Sequence, residues 1–546
     1  MATSDTGAAF PTLDDTQMAA LARCSEAPVR RYSAGQTLFE VGERDFKFFV
    51  VKTGQLEIVD TSGETPRTVA IHGPGEFTGD VAHLTGSPSV VKCIARSDAK
   101  VYEISAETLR HLLNKCPALG DVILRAFIAR RQLLRSSNFA GLRVIGSRYS
   151  RDTHRIREFL ARNLVPFTWL DLEEHREVDS LLQRFGVGPA DTPIVVSGQT
   201  VLRNPTNKML ADAIGICRPL EQTVYDLAIV GCGPAGLAAA VYGASEGLRT
   251  VVLERSAPGG QAAGSMRIEN YLGFPAGITG GELTERAVLQ ARKFGAYLSV
   301  PAPVSGLTFD ATYSVLRLEG GETVAAKSLF IASGVDYRRL SVEGGEQFEG
   351  LGVYHAATTI EAELCRGSNV VVVGGGNSAG QAAVFLAENV RKVFLVIRAS
   401  DLRSGMSSYL AWRIEQTPNI EVLFGTTVHR LSGDTWLRSV EIVDERTGQR
   451  RTIDTPALFS FIGAVPRTSW LPREIALDGN GFILTGTLLD DTPNWTAKRQ
   501  PFLLETSYPG VFAGGDVRSG SVKRVATAVG EGAMAVQFVH EYLKQM

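Results

Sequence analysis

Gly231, Gly233 and Gly236 stand in the run Asp226-Leu-Ala-Ile-Val-Gly231-Cys232-Gly233-Pro234-Ala235-Gly236, an apolar stretch feeding a G-x-G-x-x-G turn, followed by the Ala-rich segment Leu237 to Ser245. Such a turn suits a pyrophosphate. The first glycine permits the tight bend, the second lets backbone approach the phosphates, and the third lets helix and strand pack closely. The next strand, Thr250-Val-Val-Leu-Glu254, ends in a carboxylate at the spacing where it accepts from ribose hydroxyls. A second copy follows at Val370-Val-Val-Val373-Gly374-Gly375-Gly376-Asn377-Ser378-Ala379, with alanine at the third small position. Near the end, Gly510-Val-Phe-Ala-Gly-Gly515-Asp516-Val517 sets an acid after a strand and before the helical run Arg524 to Leu543. One such match is a common Gly-rich turn. Three in this order, each between a strand and a helix, predict two bound dinucleotides.

Further matches extend the pattern: Gly259-Gly260-Gln261, Glu269-Asn270-Tyr271, Ala332-Ser333-Gly334 and Arg524-Val525-Ala526. From Val224 to the C-terminus the chain resembles the low-molecular-weight thioredoxin reductase family. The resemblance implies an FAD-binding domain split over residues 224–342 and 460–546, with a nicotinamide nucleotide domain, 343–459, inserted between. It places FAD on Gly231, Gly233, Pro234, Ala235, Gly236, Glu254, Gly260, Gln261, Asn270, Gly515, Asp516, Arg524, Val525 and Ala526. It places NAD(P)H on Gly374, Gly376, Asn377, Ser378 and Ala379. Asp516 would accept from a ribityl hydroxyl, and the N-terminus of the helix after it favours the electron-rich end of a reduced flavin.

Two departures bear on chemistry. In register with Gly352-Val353, the family's redox Cys-x-x-Cys falls on Ala356-Ala357-Thr358-Thr359, so Ala356 and Thr359 occupy the cysteine positions. Cys365 is the nearest thiol and has no partner two residues away, whereas a disulfide relay needs an attacking and a resolving sulfur. The family's His-Arg-Arg-x-x-x-Arg pattern for a 2′-phosphate becomes Ile397-Arg398-Ala399-Ser400-Asp401-Leu402-Arg403. Arg398 and Arg403 can still pair a phosphate. NADPH is therefore the expected coenzyme, with NADH left open.

The N-terminal part shows short strands punctuated by glycine: Gln36 to Glu40, Phe48-Phe-Val-Val, Gly54 to Val59, Arg67 to His72, then Gly73-Pro-Gly75-Glu-Phe-Thr-Gly79-Asp80. That spacing predicts a barrel or jelly roll, with a helical run from Ala106 to Arg135 against it. Residues 1–136 resemble a cyclic-nucleotide-binding domain. In that family a Gly-Glu pair holds the ribose and an Arg holds the cyclic phosphate. Here Gly79-Asp80 and Ser89 stand at those positions, which disfavours a cyclic nucleotide and leaves the barrel for dimerisation or another ligand.

Residues 141–217 read as strand Leu142 to Gly146, helix Thr153 to Asn163, strand Pro166 to Leu172, helix Val178 to Phe185, strand Asp191 to Val196, a short strand and a helix from Asn207 to Ile214. The order resembles glutaredoxin and thioredoxin folds, with Thr192-Pro193 at the cis-proline position. Its Cys-x-x-Cys site falls on Ser150-Arg151-Asp152-Thr153, or on Ser147 to Ser150, and holds no thiol. Ser150 reads as a helix cap. The fold class is thus multidomain α/β plus β: a cyclic-nucleotide-binding-like jelly roll with helices, a thioredoxin-like α/β module, and a two-dinucleotide-binding-domain flavoprotein reductase.

Composition sets bounds. The 546 residues carry 56 Lys+Arg against 58 Asp+Glu, a net charge of −2 that exerts no global pull on nucleic acid or an acidic membrane. The arginines Arg125, Arg130, Arg131, Arg135, Arg143, Arg148, Arg151, Arg155 and Arg157 form a basic stretch, read as a helical surface with balancing acids. Six scattered cysteines read as reduced thiols in a cytoplasm. No signal pattern, spanning segment or metal site is expected.

Two functions follow. One is an FAD-dependent NAD(P)H oxidoreductase, in which hydride passes from the nicotinamide to FAD and electrons go on to a quinone, a ferredoxin, dioxygen or a partner protein. Family members without Cys-x-x-Cys include ferredoxin–NADP reductases. The other is a redox-sensing or scaffolding flavoprotein. Family resemblance implies a homodimer.

Overall fold

The computed structural model describes residues 5–61, 65–136, 142–163, 165–174, 182–183, 186–188, 191–197, 200–217, 219–220, 224–310, 313–489, 495 and 497–546. At the N-terminus, one antiparallel sheet orders Val29–Tyr32, Ala99–Ile104 and Phe48–Thr53, and a second orders Thr37–Phe39, Lys92–Ala95, Leu56–Asp60 and Arg67–His72. Inward residues of both sheets, among them Phe49, Val51, Val101, Leu56, Ile58 and Cys93, share one core. The expected single run from Ala106 to Arg135 is two helices, Ala106–Lys115 and Pro117–Ser136. Pro117 offers no N–H to the preceding turn and suits the first position of a new helix, so the run divides there.

One expectation is corrected in this region. Cys24 and Cys116 are joined as a disulfide, while Cys93, Cys217, Cys232 and Cys365 are free. The pair is separated by 92 residues, and only the packing of helix Asp15–Ser25 near the junction of the two later helices brings the sulfurs together. Short spacing carried no sign of it.

The next unit has a sheet ordered Thr200–Arg203, Ile194–Ser197, Leu142–Gly146, Thr168–Asp171. Leu142–Gly146 runs parallel to Thr168–Asp171 and antiparallel to Ile194–Ser197. A parallel pair needs a crossover, which helix Arg151–Arg162 supplies. Ser150 caps this helix, its hydroxyl accepting from the Thr153 N–H. The Thr192–Pro193 peptide is cis, as expected, and so is Val300–Pro301. Of the expected helix Val178 to Phe185, only 182 and 183 fall within the described residues.

From Tyr225 onward a seven-stranded sheet is built around Tyr225–Val230, which lies parallel to Thr250–Leu253 on one side and Thr323–Ile331 on the other. Val511–Ala513, far along the chain, returns to pair parallel with Thr323–Ile331. Between them the chain makes a five-stranded parallel sheet ordered Val353–Tyr354, Leu458–Ser460, Asn369–Val373, Lys392–Ile397, Ile420–Phe424, and an antiparallel meander, Thr426–Gly433, Leu437–Asp444 and Arg450–Asp454. The strands nearest the glycine turns are buried along almost their whole length, as a sheet covered on both faces requires. Val335–Tyr337 and Ala464–Pro466 pair where the chain leaves and re-enters the larger sheet.

The basic stretch resolves into individual engagements. Arg125 pairs with Asp121, Arg131 with Asp80, Arg148 with Asp171 and Glu174, Arg155 with Asp152, and Arg157 with Glu363. Among the described residues, no helix is long and apolar enough to cross a membrane.

Candidate functional site

The first glycine turn is shaped by close backbone approach. Gly231 has φ +104°, and a Cβ there would fall 2.3 Å from the Ala332 carbonyl oxygen. A Cβ on Gly236 would fall 2.0 Å from the Gly231 carbonyl oxygen. Helix Pro234–Ser245 starts with Gly233 as N-cap and Pro234 just inside, and no side chain caps it. Its first N–H groups are thereby left to an anion such as a pyrophosphate.

Three other segments converge on this turn. The buried Glu254 accepts from the Cys232 N–H at 2.8 Å and the Ser256 N–H at 3.0 Å, which fixes its carboxylate against the loop. A Cβ on Gly260 would lie 3.1 Å from the Gly233 Cα, and Gln261 donates to the Val335 carbonyl at 2.8 Å. Helix Val525–Leu543 packs so tightly on Pro234–Ser245 that a Cβ on Gly532 would lie 2.2 Å from the Ala235 carbonyl oxygen. That contact carries Gly515 to Ala235, where an added Cβ would be 3.1 Å from the Ala235 Cβ. Asp516 is half-buried, and burial pushes its carboxyl up, with Lys523 opposing and Glu531 adding. Val525 is half-buried, whereas Asn270, Arg524 and Ala526 are exposed.

Sequence reading missed Glu531. Its carboxylate accepts from the Gly515 N–H at 2.5 Å, from Arg518 at 2.6 Å and from the Ser521 hydroxyl at 3.1 Å. It is buried and ties the Gly515-Asp516 turn to the helix behind it. The available signal was a lone acid within the Ala-, Gly- and Val-rich first half of that helix.

The second turn repeats the first. Gly374 has φ +139°, a Cβ there would fall 2.5 Å from the Phe461 carbonyl oxygen, and Gly376 begins helix Asn377–Ala387 with no side-chain cap. Ala379 is fully buried, Ser378 is exposed, and Asn377 accepts from the Ser407 N–H at 2.8 Å. The two arginines expected for a phosphate are not equivalent. Arg398 is exposed, but Arg403 is clamped by Glu415 through contacts of 2.6 and 2.8 Å. Glu415 lies on the following helix, a partner that local spacing does not show.

At the family's dithiol position, Thr358 caps helix Thr359–Leu364 in a capping box with Glu361, so the segment serves as a helix start. The Ala356 Cβ lies 3.7 Å from where a Cβ on Gly264 would be, against the larger unit. Cys365 is buried, and burial, with Glu361 adding, pushes its thiol up to about 12, which leaves no thiolate near neutral pH.

Helix Arg151–Arg162 lies across this region and touches both nucleotide units. Toward the inserted unit, Tyr149 stacks on Trp436 at 3.5 Å between ring centroids, and Arg151 donates to the Gln347 carbonyl. His154 stands 3.5 Å from Glu361, and Arg157 3.6 Å from Glu363. Toward the larger unit, Arg162 donates to the Gly260 carbonyl at 3.2 Å and Asn163 to the Ser256 carbonyl at 3.0 Å. Glu269 and Arg413 join the two nucleotide units directly at 2.9 Å.

A parallel sheet with an uncapped glycine turn, interrupted by a second sheet carrying another such turn, is the architecture of a two-nucleotide flavoprotein oxidoreductase. Residues 225–532 match the pyridine nucleotide-disulphide oxidoreductase family, and the chain belongs to that family of FAD-dependent enzymes. Residues 29–116 match the cyclic nucleotide-binding domain. The chain is 35% identical to the thioredoxin reductase of Treponema pallidum over 322 residues, covering 59% of this chain and 98% of that protein. It is 32% identical to the thioredoxin reductase of Bacillus subtilis over 330 residues, 60% of this chain and 97% of that one. Lactococcus lactis thioredoxin reductase in its FR conformation superposes with a TM-score of 0.53 at 28% identity, over 59% of this chain and 100% of that one. T. acidophilum thioredoxin reductase gives 0.52 at 30% identity, over 58% and 98%.

Proposed function

We propose that the chain is a cytoplasmic, homodimeric NAD(P)H oxidoreductase of thioredoxin-reductase type that delivers electrons to an external acceptor without an internal redox disulfide. The observation that carries this reading is the contrast between two intact glycine cradles and a dithiol position held by Ala356 and Thr359. FAD, when bound, would take a hydride from NAD(P)H and release electrons to the acceptor. Gly231, Gly233 and the N–H groups of helix Pro234–Ser245 would hold the pyrophosphate, Glu254 the ribose, and Asp516 the ribityl chain, with Glu531 positioning that turn. Gly374, Gly376 and the helix start at Asn377 would hold the nicotinamide nucleotide. With Arg403 engaged by Glu415, Arg398 is the cation for a 2′-phosphate, so the preference for NADPH over NADH is modest.

The 142–217 module supports the same reading. Its strand order agrees with the thioredoxin-like assignment, and its Ser150 to Thr153 end lies on the inserted unit beside Glu361, close to where a disulfide substrate would dock on the family's dithiol. A protein disulfide has neither a thiol to meet nor open access there. The acceptor is then a quinone, a ferredoxin, dioxygen or a partner protein that approaches the flavin by another face.

Anaerobic titration with NADPH and then NADH, followed by flavin absorbance, tests the reading. Stoichiometric bleaching by one equivalent is the expected result. Bound flavin that stays oxidised with both coenzymes would favour the redox-sensing or scaffolding alternative, which the bridging helix Arg151–Arg162 also suits. A Cys365→Ser variant is expected to keep wild-type turnover with every acceptor, since that thiol is buried and protonated. A turnover loss confined to disulfide acceptors would contradict the external-acceptor assignment.

A further inference from the structure

The N-terminal barrel encloses a cavity of about 520 Å³ that the oxidoreductase reading leaves unused. Its walls are apolar, formed by Phe39, Phe46, Ile58, Val69, Ala70 and Val91, and Phe10 reaches it from the N-terminal segment.

The polar groups at the family's phosphate position are committed to backbone partners. Ser89, at the position of the family's phosphate-binding Arg, donates to the Val91 carbonyl at 2.7 Å and accepts from the Val91 N–H at 3.3 Å. Arg130 is buried, and its nitrogens donate to the carbonyls of Ala9, Gly79 and Phe77 at 2.7, 2.6 and 2.9 Å. Its guanidinium lies against the rings of Phe10 and Phe77 at 5.3 and 4.8 Å. This cation fastens the N-terminal segment to the barrel, and the nearby carboxylates of Asp80 and Glu76 offset its charge. One oxygen of Asp80 accepts from the Ala82 N–H at 3.0 Å. The other is buried 3.7 Å from Arg131 and accepts no hydrogen bond. That second oxygen is closed off from the cavity, whereas the first, on a residue of the cavity wall, has one donor and room for another from a bound group.

We propose that the barrel cavity binds an uncharged, largely apolar ring compound that donates a hydroxyl or N–H to Asp80, and not a cyclic nucleotide. Apolar walls reward the ring body. Asp80, Glu76, Arg130 and Arg131 nearly balance in charge, and Arg67, the further cation on the cavity wall, is exposed to water that screens it, so the pull on an anion is weak. This site is independent of the flavin chemistry and stands or falls separately.

Calorimetric titration of the FAD-loaded full chain with 2-naphthol, 2-naphthoate, cyclic AMP and cyclic GMP tests it. The expected result is 1:1 binding of 2-naphthol, with the naphthoate and both nucleotides at least about tenfold weaker, the discrimination of one unmatched charge or hydrogen bond. Ala70→Phe and Val91→Phe, two independent cavity-filling changes checked for retained fold by circular dichroism, are each expected to weaken 2-naphthol by a similar factor. The proposal is overturned by no 2-naphthol binding, by naphthoate binding as tightly, by a cyclic nucleotide binding more tightly, or by 2-naphthol binding that folded filling variants leave unchanged.

Discussion

A Glu531→Ala protein is expected to purify largely stripped of flavin and with a lowered Tm. The carboxylate takes the Gly515 N–H, the Arg518 guanidinium and the Ser521 hydroxyl at once, so alanine abandons three donors in a buried place. Losing one hydrogen bond to a charged group costs about 1.5–3 kcal/mol, and the unpartnered Arg518 adds to that, although its partial exposure limits the addition. If even one such bond supports the Gly515-Asp516 turn, FAD affinity falls about 10- to 100-fold. Glu531→Gln keeps an acceptor for the Gly515 N–H but withdraws the charge from Arg518, so its loss should be smaller. The ratio of flavin to protein absorbance after purification, with a thermal melt, reads both variants. Stoichiometric FAD and an unchanged Tm in the alanine variant would show that Asp516 and its turn are held without Glu531.

Glu531 also marks the limit of what the sequence discloses. Gly231, Gly236 and Gly374 were legible because the tight strand-to-helix turn itself asks for glycine, by positive φ at Gly231 and Gly374 and by the nearby Gly231 carbonyl at Gly236, although the carbonyls packed on Gly231 and Gly374, those of Ala332 and Phe461, come from far along the chain. Thr192–Pro193 and the Ser150 cap are local in the same sense. The partners that were missed are set by how helices pack. Glu415 claims Arg403 from the next helix, and the disulfide joins Cys24 to Cys116 across 92 residues. The basic stretch behaved likewise. Arg130 looks like a surface charge in a run of arginines, yet it is buried with its donors on the carbonyls of Ala9, Gly79 and Phe77. Amphipathic spacing shows which face a residue occupies. It does not show which backbone will be waiting there.

Arg157→Glu is expected to lift the 142–217 module off the inserted nucleotide unit. Arg157 is buried, its guanidinium lies 3.6 Å over the Trp169 ring, and it stands 3.6 Å from Glu363. Burial pulls its pKa down, and Glu363, Glu361 and Asp171 oppose that pull, so the residue is a cation held among carboxylates. A glutamate in its place is a buried charge beside the same three acids, of which Asp171 keeps Arg148 and Glu361 keeps His154, and an unmatched buried charge costs several kcal/mol. The other contacts across this junction are the Tyr149–Trp436 stack, the Arg151 bond to Gln347 and the His154–Glu361 pair. Tyr149 and Arg151 are exposed and the His154–Glu361 pair is a single contact of 3.5 Å, so none of the three makes up that loss alone. Hydrogen exchange in Arg151–Arg162 and Thr359–Leu364 should then quicken together by about tenfold or more, the equivalent of about 1.4 kcal/mol in local opening. Trp436→Ala removes the stack from the other side of the junction without burying a charge, and is expected to move the same two helices by less. Because helix Arg151–Arg162 also holds Gly260 and Ser256 of the larger unit, undocking should free the inserted unit to turn and uncover the Ala356–Thr359 face to a protein-sized acceptor. Reduction of cytochrome c by NADPH would then rise in Arg157→Glu while ferricyanide reduction, which needs no docking face, stays near wild type. Exchange rates equal to wild type in both helices would mean that the module is held by contacts other than these, and that its cysteine-free face does not guard the acceptor side of the flavin.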